Sequence, residues 1–506
     1  MDCSQKRNTC SCQTCERVRE KIRRIFCVLD IYGWLLDAYI VDFYKDDLWD
    51  RLPNSWKKFF ENTTPEELGS WILNEHPRSS RKTRVWPLSL QALRHVIRLL
   101  EIDRDQQSTV SLECENANYK MKGSLNRSCS SGTTICSGET NMDLLIDNSK
   151  SHQKLQKMFV KHMKPKKTHE IDIMATIVAE CAASAHSECV LDVGAGMGHL
   201  ARMLAYRHDM CVTCVEQQPV LSERARNLDL RYESMVLKHL SISQGQKPHH
   251  ISLKIERDSG SRLLDELNQV FKDNFQLNPK LSGFGLIGLH PCGDLAATLL
   301  HSYTESDCAK FICIAACCYM KLTIGEKPGV LQGYPLSKFL GTLKVNIFSY
   351  AALEVSCHAV ENHCHKLKSA ECWELKVHAY RAVLESLLVK KNPTLRHGKL
   401  KSVKLKQDMT FRDYCVAATK NLPQEYCPDN MTETSSSEVT AYLDHWERVV
   451  IFTSIRMMLA PLVESVVLLD RFLYLSEKML SPKLKAVFDP AISPRNFILT
   501  SVKIEV

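Results

Sequence analysis

The sequence predicts an α/β protein: a parallel sheet with helices on both faces, preceded by an all-helical region. Two observations carry this. From about residue 151, short apolar strands alternate with helical patterns, and the strands are near-continuous apolar runs, as buried parallel strands are. Before that, residues 17–102 repeat their apolar positions at helical spacing.

The chain has 506 residues, enough for two to four domains at about 150 residues each. Hydrophobic residues make up 44% and charged residues 25%, which excludes collagen, a wholly disordered chain and a small disulfide scaffold. A net charge of +8 is mild and does not by itself imply nucleic acid. The opening MDCSQKRNTC has no apolar h-region, so no secretory signal is expected. The 22 cysteines are then expected to be reduced, as core residues or ligands, in an intracellular protein of the cytoplasm or nucleus. The best membrane candidate, Val449 to Leu469, is interrupted by Arg456, Pro461 and Glu464. It reads as a buried helix, and no membrane partner is expected.

Residues 1–16 read as a flexible Cys-rich terminus. Residues 17–102 read as a helical domain, with Ile22, Ile25, Phe26 and Leu29 on one stripe. Thr64-Pro65-Glu66-Glu67 is a helix start: N-cap, proline at the first position, and a capping-box acid. Trp34, Trp49, Trp56, Trp71 and Trp86 read mainly as core anchors. Residues 103–150, rich in Ser, Asn, Thr and Gly, read as a disordered linker. In residues 151–506, helices are expected at 171–183, 199–206 and 220–228. Strands are expected at 189–193, 211–215, 284–289 and 311–315. A helical insertion around 346–480 precedes a final strand near 497–503.

The most informative segment is Cys189 to Leu200, CVLDVGAGMGHL. A buried strand ends in an acid, a glycine-rich turn and a helix. Glycines let backbone approach a ligand closely, and the helix start offers free N–H groups. A dinucleotide site wants G-x-G-x-x-G. Here the spacing is G-x-G-x-G, and Asp192 would repel a pyrophosphate, so a nicotinamide dehydrogenase is disfavoured. Asp192 suits a ligand with an ammonium near the loop, such as the methionine end of S-adenosylmethionine. Glu216, at the end of the next strand, can accept from both ribose hydroxyls. The plainer alternative is a structural strand-turn-helix without a ligand.

At these residues the chain resembles the class I S-adenosylmethionine-dependent methyltransferases, with a Rossmann-like sheet. More narrowly, it is similar to the methyltransferase-like group that includes ribosomal RNA adenine dimethylase domain-containing proteins. The resemblance rests on LDAYIVDFY at 36–44, MKPKKTHEI at 163–171, LDVGAGMGHLAR at 191–202, GLHPCGDLAATLL at 288–300 and CCYMKL at 317–322. APLVESVVLLDRFLYL at 460–475 and SPRNFILTSVK at 493–503 belong to it too. It implies that Asp192, Gly194, Ala195, Gly196 and Gly198 hold the methionine part of S-adenosyl-L-methionine and that Glu216 holds the ribose. Lys167 or His169, just before the first strand's helix, would meet the carboxylate; a solvated basic turn is the alternative.

Residues after the fourth strand usually face the methyl, and here they are His290-Pro291-Cys292-Gly293. True adenine-N6 dimethylases carry Asn/Asp-Pro-Pro-aromatic there, so adenine dimethylation does not follow from the resemblance. His290 and Tyr319 are general acid–base candidates. Cys292 and Cys317 or Cys318 follow neighbouring strands, as the two cysteines of cytosine-C5 RNA methyltransferases do, or else they only pack. His290, Cys292, Cys317 and Cys318 are also four soft donors, but vicinal cysteines chelate one ion poorly. Cys10, Cys12 and Cys15 look like a ligand cluster without a matching second cluster, and Cys357 to Cys372 holds another Cys/His run. No metal site is expected. The run Lys390 to Lys406 has seven cations and no acid, and reads either as an RNA phosphate contact or as a solvated loop.

The expected function is methyl transfer from S-adenosylmethionine to a macromolecule, RNA (ribosomal RNA included) or protein. The alternatives are a catalytically inactive cofactor-binding or interaction scaffold, and a cytosine-C5 RNA methyltransferase.

Overall fold

The computed structural model describes residues 10–75, 84–108, 111–115, 163–239, 247–255, 264, 266–270, 283–325, 332–343, 348–398, 400–427 and 432–503. They form two compact units. One takes in the described residues of Met1–Glu20, Asp103–Lys344 and Val467–Val506; the other takes in those of Lys21–Ile102 and Val345–Val466.

Among the described residues, the first unit is built on one eight-stranded sheet. Its strands are β1 Leu112–Glu113, β2 Cys189–Val193, β3 Cys211–Glu216, β4 His249–Ser252, β5 Phe284–Cys292, β6 Ala309–Cys317, β7 Pro482–Ala486 and β8 Phe497–Val502. Their order across the sheet is β1-β7-β8-β6-β5-β2-β3-β4. Strands β6, β5, β2, β3 and β4 run parallel. β8 is antiparallel to β6, β7 to β8 and β1 to β7. The expected α/β fold with helices over a largely parallel sheet is what forms.

The central strands read as unbroken apolar runs because both faces are covered: all five residues of β2 and all six of β3 are buried. Helix Pro165–Ser184 packs Met174, Ala175 and Val178 against Val190, Ile287 and Cys313 of the sheet. Three strands escaped the sequence reading: β1, which lies in the stretch read as linker, β4 and β7. β4 carries His249 and His250, and β7 reads Pro-Lys-Leu-Lys-Ala, so neither shows an apolar run. β7 lies between β8 and β1 near the edge of the sheet, where alternating lysines are tolerated.

Three expected boundaries change. Gln13–Glu16 form the first turn of helix Gln13–Asp37, and Cys10 and Cys15 are buried, so the described part of residues 1–16 is ordered structure and not a flexible tail. The described residues of the expected linker, 103–108 and 111–115, are not linker. Arg104 donates to the carbonyl of Pro494 at 3.0 Å, Asn496 donates to the carbonyl of Arg104 at 2.8 Å, and β1 adds to the sheet. Residues 116–150 lie outside the described residues.

The third change concerns the helical parts. Residues 21–102 do not make a domain of their own; they share one unit with residues 345–466. Buried Arg456 explains why. Its guanidinium donates to the carbonyls of Leu36 and Ala351, at 3.2 and 2.8 Å through Nη2. Trp34 packs on Phe452 in the same unit, and Trp71 stacks on Trp86 with ring centroids 4.1 Å apart. Thr64 caps helix Pro65–Leu73 by accepting from the Glu67 N–H, and Pro65 stands in its first turn, as the sequence predicts; the Glu67 carboxylate lies 3.8 Å from Arg84 instead of closing a capping box.

The stretch Trp446–Glu477 is long and apolar enough to cross a membrane. It forms two successive helices, and 94% of its most apolar window is buried in the protein. In the basic run, Arg396 lies 2.9 Å from both Asp42 and Asp46, and Lys390 lies 3.7 Å from Glu438. Distant acids thus neutralise part of a segment that carries none of its own.

Candidate active site

The loop after β2 sits at the C-terminal edge of the parallel strands, where neighbouring crossovers diverge and leave a crevice. The Gly194 N–H donates to the carbonyl of Val215 at 2.8 Å, which folds the loop over the end of β3. Gly194, Gly196 and Gly198 have φ of +75°, +56° and +68°, a region that side chains disfavour. A Cβ at Gly196 would meet nothing within 4 Å, so that backbone faces open space. A Cβ at Gly198 would come within 2.8 Å of the His250 ring, so this glycine serves packing.

A cavity of about 290 Å³ opens over this loop. Asp192, Gly194, Ala195 and Gly196 line it from the loop side, with His199 and Leu200 of the next helix. Lys164, Lys166, Lys167 and Glu170 line it from the start of helix Pro165–Ser184, and Leu289 and His290 from the end of β5.

Asp192 is 2% exposed, and burial pushes its carboxyl up to about 7; Lys167 opposes this and Glu216 adds to it. Lys167 is lowered by its own burial, against the pull of Asp192. Glu216 is buried at the end of β3. Its Oε2 accepts from Gly196 N–H and its Oε1 from Gln218 N–H, both at 3.0 Å. The acid therefore props the glycine loop from below and keeps a lone pair on each oxygen.

The sequence reading missed the brace behind the loop. Arg202 donates to Asp229 through Nε, to the carbonyl of Met197 at 2.6 Å and to that of Ala225 at 2.9 Å. His250 Nε2 lies 2.6 Å from the other Asp229 oxygen. No local pattern announces this group, because its members come from three elements.

The second feature is a buried acid against a histidine. Glu170 Oε2 lies 2.9 Å from His290 Nε2, and its Oε1 accepts from Ser493 Oγ at 2.5 Å. Burial alone would raise the Glu170 carboxyl; the His290 hydrogen bond and charge, with Ser493 and Lys166, more than offset this and hold it below the usual range. His290 has φ of +65°, a strained value for a non-glycine residue that turns its ring to the cavity wall.

The remaining sequence candidates divide. His169 turns away from the cavity: its Nε2 accepts the Asp489 N–H at 3.0 Å, and its ring meets Phe488 edge to face. Cys292 and Cys317 do come together, with sulfurs 3.3 Å apart, and Cys318 lies 3.6 Å from Cys317. The hydrogen bond from Cys317 lowers exposed Cys292 to about 5, and the same bond raises buried Cys317. None of these three sulfurs lines the cavity, and neither does Tyr319, which is buried under the Arg471 guanidinium. His290 gives its ring nitrogen to Glu170 and does not join a four-donor group with the cysteines. In the run from Cys357 to Cys372, His358 pairs with Glu354 and His363 with Ser454, so these donors do not converge.

Residues 166–324 match a family described as a methyltransferase domain. The chain is 26% identical over 254 residues to the probable methyltransferase-like protein 25 of Homo sapiens, covering 47% of this chain and 39% of that protein. The Mus musculus protein of the same name is 25% identical over 238 residues, 43% of this chain and 37% of that one. The chain thus spans about two fifths of the length of these curated relatives. Among solved structures, the plantazolicin methyltransferase BpumL in complex with SAH is 11% identical. It covers 33% of this chain and 54% of that one with a TM-score of 0.19, a likeness too slight to bear on the site. The family match runs from Lys166 through the glycine loop and past β6, so the matched segment carries every residue of the cavity lining except Lys164.

Proposed function

We propose that this cavity receives S-adenosylmethionine and that the domain passes its methyl group to a macromolecule, RNA or protein. One observation carries the reading: a buried carboxylate, Asp192, stands beside an open glycine backbone with Glu216 beneath it. That donor set fits the ligand's parts. Asp192 would face the ammonium and Lys166 or Lys167 the carboxylate; Glu216, which props the loop from outside the lining, would offer its remaining lone pairs to the ribose hydroxyls.

The bound sulfonium supplies an already activated methyl. The protein's own residues then need only hold the acceptor in line and take its proton. His290 is the cavity-wall group suited to that proton, with Glu170 fixing its ring. A cytosine-C5 mechanism needs a thiolate facing the base. Cys292 and Cys317 are paired but stand outside the lining, so the geometry favours His290. The residues His290-Pro291-Cys292-Gly293 give no support to adenine dimethylation.

Calorimetry with S-adenosylmethionine and S-adenosylhomocysteine tests the cofactor. Binding to the wild type that weakens at least tenfold in Asp192→Asn and in Glu216→Gln is the expected result. No binding to the wild type returns the domain to a scaffold role. Tritiated methyl transfer into fractionated RNA and protein from cells lacking this protein then assigns the acceptor.

A further inference from the structure

Away from the cavity, at the β1 edge of the same sheet, four cysteines meet. Cys10, Cys12 and Cys15 surround the start of helix Gln13–Asp37, and Cys114 follows β1 directly. All four sulfurs lie within 4.8 Å of one another. Cys114 Sγ is 3.5 Å from Cys10 Sγ, 3.8 Å from Cys12 Sγ and 3.5 Å from Cys15 Sγ. Cys10, Cys15 and Cys114 are buried, and Cys12 is half-buried.

These distances select among the things four thiols can do. A disulfide needs sulfurs at about 2.05 Å and would use only two of them. One ion bonded to four sulfurs at about 2.3 Å sets every sulfur pair on a tetrahedron edge of about 3.8 Å. The separations from Cys114 fall at or just inside that edge. A multi-iron cluster would spread its cysteines over several metal atoms, whereas here all four face one point. Packing alone gives no reason to gather four sulfurs around a point.

The backbone around the sulfurs is arranged as it is around a thiolate. The Cys15 N–H donates to Cys12 Sγ at 3.4 Å, so Cys12 occupies the cap of the helix and its sulfur takes the place of a capping oxygen. Buried Arg19 ties down the loop before the helix by donating to the carbonyl of Cys10 at 2.7 Å. On the other side, the Cys114 N–H donates to the carbonyl of Pro482 at 3.0 Å, which fixes Cys114 to β7. Each ligand is thus held by secondary structure or a backbone hydrogen bond before any ion arrives.

We propose that Cys10, Cys12, Cys15 and Cys114 bind one zinc ion in a closed, tetrahedral structural site. Four thiolates leave no open position, so the ion takes no part in chemistry. Binding displaces the thiol protons to solvent as the Zn–S bonds form. Half-buried Cys12 marks the side from which the ion enters. The site joins the start of the first helix to the β1–β7 edge across a sequence separation of 99, so the ion acts as a cross-link. A pattern search on the first three cysteines misses it, because their fourth partner is a single cysteine about a hundred residues away.

The test uses the full chain, purified in reducing buffer without chelator. Elemental analysis is expected to find about one zinc per chain. Exchange for cobalt(II) is expected to give strong thiolate-to-cobalt charge-transfer bands and the visible spectrum of a tetrahedral sulfur site. Both signals should vanish in Cys15→Ser and Cys114→Ser. Both should persist in Cys292→Ser and Cys317→Ser, which remove sulfurs of the other thiol group. Native mass spectrometry of the wild type before and after chelation reads the stoichiometry even where a serine variant fails to fold. Three results would overturn the site: a wild type that holds no zinc and takes up no cobalt, metal that survives Cys114→Ser, or a disulfide between Cys114 and an N-terminal cysteine in reduced protein.

Discussion

The Nε2 of His290 lies 2.9 Å from the Oε2 of Glu170, across 120 residues of sequence, and this contact fixes a strained histidine at the wall of the cavity. Replacing His290 with alanine removes the proposed proton acceptor. The expected loss in kcat is about 10²–10⁴-fold, with little change in cofactor affinity. Glu170→Gln should lower kcat less and leave the cofactor KM unchanged. Methyl-transfer kinetics, once an acceptor is in hand, separate the two.

The same pair predicts an acid limb in stability. The folded Glu170 carboxyl sits below its ordinary value of 4.5, so its contribution is present above that pH and is lost as pH falls through the folded value. Melting curves between about pH 3 and pH 6 should show the wild type losing stability more steeply than Glu170→Gln. Parallel curves would remove the ionised pair from the fold's energetics.

Asp192 has the opposite sign. Its folded carboxyl is raised from 3.8 to about 7 by burial, so the ligand-free protein keeps a proton that the unfolded chain has released. Stability contributed by this group therefore falls as pH rises from about 4 to about 7 and stays low above that. Asp192→Asn should melt higher than wild type at mildly alkaline pH while binding S-adenosylmethionine more weakly. Wild-type binding near neutrality should release a proton as the ligand's ammonium favours the carboxylate. Calorimetry in buffers of different ionisation enthalpy measures that release.

Arg202 and Asp229 are buried together, with His250 on the second carboxylate oxygen. Arg202→Met leaves the acid buried without its main partner and should cost about 3–5 kcal/mol in chemical denaturation. Gly198→Ala should cost about 1–3 kcal/mol, from its φ of +68° and from a Cβ 2.8 Å from His250. A neutral result at Gly198 would show that the His250 ring moves aside.

Cys292 is exposed and lowered to about 5 by the hydrogen bond from Cys317. Iodoacetamide at mildly acidic pH should label it before the buried Cys214 and Cys313, whose thiols burial raises. Peptide mapping of the alkylated protein, with Cys292→Ser as control, gives the order.

Near neighbours along the chain settled much of this protein. The apolar runs of β2, β3, β5, β6 and β8, the glycine turn between Val193 and His199, and the acids at Asp192 and Glu216 are legible because each depends on backbone conformation or on residues a few positions away. Where the local signal is weak, as in β4 and β7, the strands went unread. Contacts across long separations belong to packing alone. The Glu170–His290 pair, the Arg202–Asp229–His250 brace, the arrival of Cys114 beside Cys10, Cys12 and Cys15, and the acids Asp42 and Asp46 on Arg396 are of this kind. So is the union of residues 21–102 with 345–466. Periodicity says which face of an element is buried, but which other element covers it is decided only when the whole core closes.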